Sequence, residues 1–183
     1  MNGQHHSIAG LCTATCLTAT EIAYHCPQNW HEVIPIAGMV AATYIGSLFP
    51  DIDTRTSKLG KKMKISSAIV SKLFGHRGFF HSPLFVAITF LLCWRIFVWQ
   101  NIMDYSVIFL GFIAGMLTHL ACDMATKGGL PLFYPYNRKR FSISVIESGS
   151  KWEWIPLIFI CLLSIGLTVL SIVKGWTVSA IFV

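Results

Sequence analysis

The stretch YSVIFLGFIAGMLTHLACD, residues 105–123, decides the fold class. It carries no Lys, Arg, Asp or Glu before Asp123. Its apolar part, 105–122, is near the roughly 20 residues that a helix needs to cross a bilayer. Gly111 and Gly115 form a GxxxG step, and small residues at that spacing let helix backbones approach closely in lipid. His119 and Asp123 stand four residues apart, so a helix points both the same way.

Outward from this segment, three more stretches read as membrane helices: 33–50, 83–103 and 155–173. In the first, Gly38, Ala42 and Gly46 repeat the small-residue spacing. The second begins at Ser82-Pro83, a helix start with Ser as N-cap and Pro at the first helical position. A fifth stretch, 7–24, is rich in Thr and ends near Glu21. It reads as a span, a re-entrant segment or a helix packed inside the bundle. The composition agrees: 54% of residues are hydrophobic, 12% are charged and the mean hydropathy is +0.62. Soluble domains carry about 25% charged residues. The expected fold is all-α, a polytopic membrane bundle of four to five spans formed as one unit over 1–183.

The charges are clumped. No Lys or Arg precedes Arg55, seven lie from Arg55 to Arg77, and five from Lys127 to Lys151. Basic loops stay on the cytoplasmic side. Both loops are therefore expected to face the cytoplasm, and the neutral turns near 25–32 and 101–105 to face outward. No cleavable signal peptide is expected, since the N-terminus lacks a basic region. Arg95 reads as a snorkelling side chain. Phe133, Tyr134, Tyr136, Trp152 and Trp154 suit an interfacial belt. The six cysteines form no CxxC and read as small buried hydrophobes. The pI near 9.1 would suit a nucleic-acid binder, but orientation already explains the basic residues, and no such partner is expected.

The rare ionisable groups converge on one predicted face. His6 precedes the first segment, Asp51 and Asp53 follow the second, His76 and His81 precede the third, and His119 and Asp123 end the fourth. Buried carboxylates and imidazoles at a membrane boundary are costly unless paired or metal-bound. These seven residues supply nitrogen and oxygen donors without thiolate, a set that favours Zn²⁺ or Mn²⁺, with Mg²⁺ a third choice, as one or two ions. Only one of His5 and His6 is expected to point inward. His25 and His31 read as interfacial, without function. Arg77, Arg138 and Arg140 are candidates to grip a substrate phosphate.

At these residues the chain resembles the YdjM family of bacterial inner-membrane proteins, described as metal-dependent hydrolases and associated with the LexA-controlled DNA-damage (SOS) response. The resemblance rests on His6 with Gly10, PDID at 50–53, SKLG at 57–60, GHRGFFHS at 75–82 and HLACDMATKGGLPLFYP at 119–135. It covers a core from 6 to 143 and leaves the last helix matching only in being apolar. Thr54 stands where the family often has His, and Phe80 where it often has Thr. A looser likeness connects the pattern to the zinc-dependent phospholipase C and nuclease superfamily, which also uses Asp, His and HxxxD/E to hold zinc. The resemblance implies hydrolysis at the cytoplasmic membrane face, on a phosphoester of a lipid or lipid-linked substrate. Asp53 would orient or deprotonate the attacking water and Arg77 would stabilise developing charge. The alternatives are a divalent-cation transporter or sensor, and a structural metal clamp.

Overall fold

The computed structural model describes residues 1, 3–54, 57–62, 72, 78–100 and 105–175. Its helices are α1 (Gly3–Tyr24), α2 (Trp30–Gly46), the short α3 (Lys58–Lys62), α4 (Pro83–Gln100), α5 (Ser106–Met124) and α6 (Trp154–Lys174). Three single turns of 3-10 helix join them, at Pro50–Asp53, Phe79–His81 and Lys151–Glu153. No strand occurs among the described residues; Leu130 and Phe141 form an isolated bridge. The fold is all-α.

The small-residue stripes explain the tightest helix pair, α2 against α5. A methyl group on Gly115 would lie 2.1 Å from the Thr43 carbonyl oxygen, and one on Gly46 would lie 2.2 Å from that of Phe112. Both glycines are needed for backbone approach. Beneath the contact, Met39, Phe109, Ile113 and Met116 are buried. Helix α4 starts as expected: the Ser82 hydroxyl accepts the Phe85 N–H at 3.2 Å. Phe79 and Phe80 then pack on Phe85, with ring centroids 5.1 and 4.6 Å away. That apolar grip fixes the turn ending at His81.

Among the described residues, two helices are long and apolar enough to cross a membrane by length and composition, Ser106–Met124 and the last one counted from Lys151 to Lys174. Helix α4 contributes a shorter apolar run, Pro83–Ile96. The reasons the others fall short are physical. Helix α1 is 22 residues long but carries His5, His6, four threonines and Glu21. Helix α2 has only 17 residues, because the chain leaves the helix after Gly46 to form the turn that begins at Pro50. Helix α1 buries its polar side, with His6, Thr13, Thr20 and Glu21 all covered. Its other side exposes Ile8, Leu11, Ile22 and Tyr24.

The segment after α5 folds back on that helix. Leu130 and Phe141 exchange backbone hydrogen bonds of 3.0 and 2.9 Å, and the Ser142 hydroxyl donates to the Thr126 carbonyl at 2.6 Å. Gly129 makes the turn at φ +59, where a methyl would also strike the Phe141 carbonyl.

Candidate metal centre

Four pieces of chain build the centre. His119 and Asp123 lie in the last two turns of α5, one helical turn apart. Asp51 and Asp53 come from the turn opened by Pro50, His81 from the turn before α4, and His6 from the first turn of α1. His6, Asp53, His81, His119 and Asp123 are almost wholly buried; Asp51 remains 18% exposed.

The ring of His81 points Nε2 at this group. It lies 3.3 Å from His119 Nε2, 3.5 Å from Asp51 Oδ1 and 3.5 Å from Asp123 Oδ2. His119 Nε2 is 3.9 Å from the same Asp51 oxygen and 3.7 Å from the same Asp123 oxygen. Four donors at zinc's bond lengths of about 2.0–2.1 Å, tetrahedrally placed, stand roughly 3.3 Å apart. Five of the six edges of such a tetrahedron are therefore present at 3.3–3.9 Å. Two imidazole nitrogens facing each other among carboxylates need a cation, a proton or a metal, between them.

The outer contacts fix which nitrogen faces inward. His119 Nδ1 donates to the Ser47 carbonyl at 2.8 Å, which leaves Nε2 its lone pair. Behind His81, Nδ1 faces Asp53 Oδ2 at 3.2 Å, while the Thr54 hydroxyl donates to Asp53 Oδ1 at 2.9 Å. Thr54, the departure from the family pattern, thus steadies a carboxylate. Asp53 lies on the far side of His81 from Nε2. It also falls in a second donor set with Asp51 and His81, and a third set joins His6, Asp51 and His119. His6 stacks on His119 with centroids 3.8 Å apart, and its Nε2 is 3.4 Å from Asp123 Oδ1. Met1 also contacts Asp123.

The motif around Asp51 has its own reason. The Ser57 hydroxyl donates to the Asp51 carbonyl at 2.8 Å and accepts the Gly60 N–H at 2.9 Å. A methyl on Gly60 would lie 2.0 Å from the Thr54 carbonyl oxygen. Ser57 and Gly60 of SKLG therefore lock the backbone that presents both acids.

Burial pushes the Asp51 carboxyl up, but the hydrogen bond from His81 and the nearby His119 and His6 rings outweigh it and hold it down at about 2. For His81 burial works to expel the proton, yet Asp51 and Asp53 retain it up to about 9. Metal-free protein therefore carries a proton on His81 at neutral pH, and a cation taking its Nε2 must displace that proton. The affinity is expected to climb with pH below about 9, and loading in weakly buffered solution is expected to acidify the medium. Titration of metal at pH 6, 7 and 8 checks this; pH-independent binding with no proton release contradicts it.

The chain matches the model of the YdjM inner membrane protein family over residues 1–183. It belongs to the YdjM family. The match includes the last helix, so the family relationship extends past the 6–143 core read from the motifs. Among YdjM relatives, the uncharacterized protein YvsG of Bacillus subtilis is 33% identical over 157 residues, 86% of this chain and 88% of YvsG. The inner membrane protein YdjM of Escherichia coli is 30% identical over 164 residues, 88% of this chain and 78% of its own length. The inner membrane protein YbcI of Escherichia coli is 30% identical over 150 residues, 68% of this chain. No solved structure matches. The family carries a bacterial inner-membrane location; the names specify no reaction.

Of the seven residues expected to share a site, six are brought together. His76 lies outside the described residues, as does Arg77. Arg138 and Arg140 stand exposed in the loop closed by Leu130 and Phe141. His25 is exposed and 3.5 Å from Glu32. Of His5 and His6, His6 alone joins the donor sets; His5 is also buried, but its Nδ1 meets a different carboxylate, Glu153 Oε2, at 2.7 Å. Sequence reasoning passed over Glu153. The signal was a single acid between Trp152 and Trp154 at the mouth of an apolar helix.

Proposed function

We propose that this YdjM-family chain is a multi-spanning hydrolase of the bacterial inner membrane. It uses a divalent cation, zinc before manganese, to cleave a phosphoester of a lipid or lipid-linked molecule at the cytoplasmic face. The observation that carries this reading is the convergence of His81 Nε2, His119 Nε2, Asp51 Oδ1 and Asp123 Oδ2, with both imidazole nitrogens 3.3–3.9 Å from each other and from both carboxylates. Two imidazoles and two carboxylates form a donor set suited to Zn²⁺ or Mn²⁺. Bound there, the cation would acidify a water and polarise the oxygen of a substrate.

The chain's own residues divide the remaining work. Asp51 is the one donor with exposed surface, so water and substrate reach the centre on its side. Its carboxylate is ionised over the whole physiological range and can orient a water by accepting its hydrogen bond. Asp53 keeps the His81 ring in place, the part a carboxylate behind a metal-binding histidine usually plays. This reading moves the water-orienting role from Asp53 to Asp51. Arg138 and Arg140, with Arg77, offer guanidinium groups for a substrate phosphate.

Topology supports the same picture. The donors flank, in the sequence, the two basic segments on either side of α4 and α5, and the positive-inside rule assigns that end to the cytoplasm. Helices α2 and α4, with α5 and α6, give four spans, and α1 fills the bundle as a fifth. A transport pathway would want donors near the bilayer midplane, whereas His119 and Asp123 occupy the last two turns of α5.

The test is metal analysis of detergent-purified protein, paired with hydrolysis of a chromogenic phosphodiester and of phospholipid. Turnover is expected to vanish with chelator and return with Zn²⁺ or Mn²⁺. Metal-loaded protein that cleaves neither substrate but carries the ion into liposomes sinks the hydrolase reading and leaves transport.

A further inference from the structure

The metal-facing histidines are not held alike. His119 Nδ1 hydrogen-bonds the Ser47 carbonyl, and His81 Nδ1 has the Asp53 carboxylate 3.2 Å away as a charge partner, although outside hydrogen-bond geometry. His6 has neither: its Nδ1 is buried without a hydrogen-bond partner among the described residues. Histidines at metal sites almost always carry an outer partner that sets ring orientation. His6 is held from the inside by its stack on His119 and its approach to Asp123; from the outside its backbone takes the part of the missing partner, and the residue before it is clamped.

That clamp is His5 with Glu153. The two are 148 positions apart in the chain, both buried, with Nδ1 and Oε2 separated by 2.7 Å. Trp154 closes over His5 edge-on, with centroids 4.8 Å apart. Glu153 stands at the N-cap of α6, where an acid commonly bonds its own helix. Here it makes no cap bond, and its carboxylate goes to His5. An apolar pair could join α1 to α6 at lower desolvation cost than two buried ionisable groups. Joining the helices therefore does not account for the choice of residues; fixing the first turn of α1 does. Cys122, directly before Asp123, packs in the same cluster as Ala9 of α1 and Leu157 and Ile160 of α6.

We propose that Glu153 is a positioning residue for the metal centre: through His5 it fixes the first turn of α1 and so holds His6 against Asp123 and His119. The last helix thereby belongs to the site, although it supplies no donor. This rests on the metal-centre reading above, and the experiment separates the two.

Full-length protein in detergent is titrated with Co²⁺, whose visible absorption reports coordination geometry, alongside Glu153→Ala, Glu153→Gln, His5→Asn and the double variant Glu153→Gln/His5→Asn. Glu153→Ala is expected to bind Co²⁺ about 10–100-fold more weakly, the usual cost of an outer partner, with an altered spectrum. Glu153→Gln, nearly the same shape, is expected to fall between that variant and wild type. The double variant is expected to lose no more than His5→Asn alone, because both changes cut one connection. Glu153 variants that melt earlier yet keep wild-type Co²⁺ affinity and spectrum overturn the proposal and leave a helix staple. If Glu153→Ala does not fold, Glu153→Gln decides by the same criterion. Wild-type protein that takes up no Co²⁺ fails the metal centre itself, before any variant is compared.

Discussion

Asp123→Ala is expected to strip the centre of metal, from a stoichiometric ion in the wild type to a trace. Asp123 is the residue on which the other elements converge: its oxygens lie 3.4 Å from His6, 3.5 Å from His81 and 3.7 Å from His119. Removing it deletes one donor and leaves three buried imidazoles without their shared anion. His119→Ala also removes a donor, together with the ring on which His6 stacks. Both are expected to exceed the roughly 10–100-fold loss that outer partners cause. Asp51→Ala is expected to be the mildest of the three, since its partial exposure lets a water take the vacated position. Metal content by mass spectrometry, with a competitive chelator to rank affinities, gives the order. Equal retention of metal in all three variants would mean that the ion binds elsewhere.

Gly115→Val is expected to be the most disruptive single change away from the donors. Even a methyl there meets the Thr43 carbonyl at 2.1 Å and the Ser47 backbone nitrogen at 2.8 Å. Those are backbone atoms of α2 and its C-cap, which cannot rotate away as a side chain would. Overpacking typically costs about 1–3 kcal/mol, and rigid neighbours put this position at the upper end or beyond. The damage reaches the metal, because Ser47 holds His119 Nδ1 one turn along the same helix. Gly166→Val is the control: around Gly166 nothing lies within 4 Å, and its melting temperature is expected to stay near that of wild type. Thermal melts in detergent with and without added metal test both. If Gly115→Val melts like Gly166→Val, the close approach of α2 and α5 is wrong.

What could be read from residues alone follows the range of the interactions. Helix α5 was legible almost to its ends, since one apolar run, a GxxxG step and an HxxxD pair all lie within it. The donors were legible because an Asp or His at the edge of an apolar segment is costly and therefore conspicuous. The partner of His5 was not, because the two groups are separated by nearly the whole chain, and a lone Glu before a helix has an ordinary explanation as a cap. Thr54 stands out in the sequence only as a departure from the family's residue; its bond to Asp53 depends on a backbone turn that spacing does not specify. Of the four to five expected spans, two pass on length and composition among the described residues. The buried polar face of α1 and the early end of α2 arise from packing around the centre.

The scattering of the donors along the chain has a consequence for biogenesis. His6 leaves the ribosome first, Asp51 and His81 follow, and Asp123 emerges only after most of the polypeptide has been made. A nascent chain therefore cannot chelate tightly while the translocon is still inserting its early helices. On the proposed metal-centre reading, ion capture would be a late step, reached by molecules whose donor segments have already assembled.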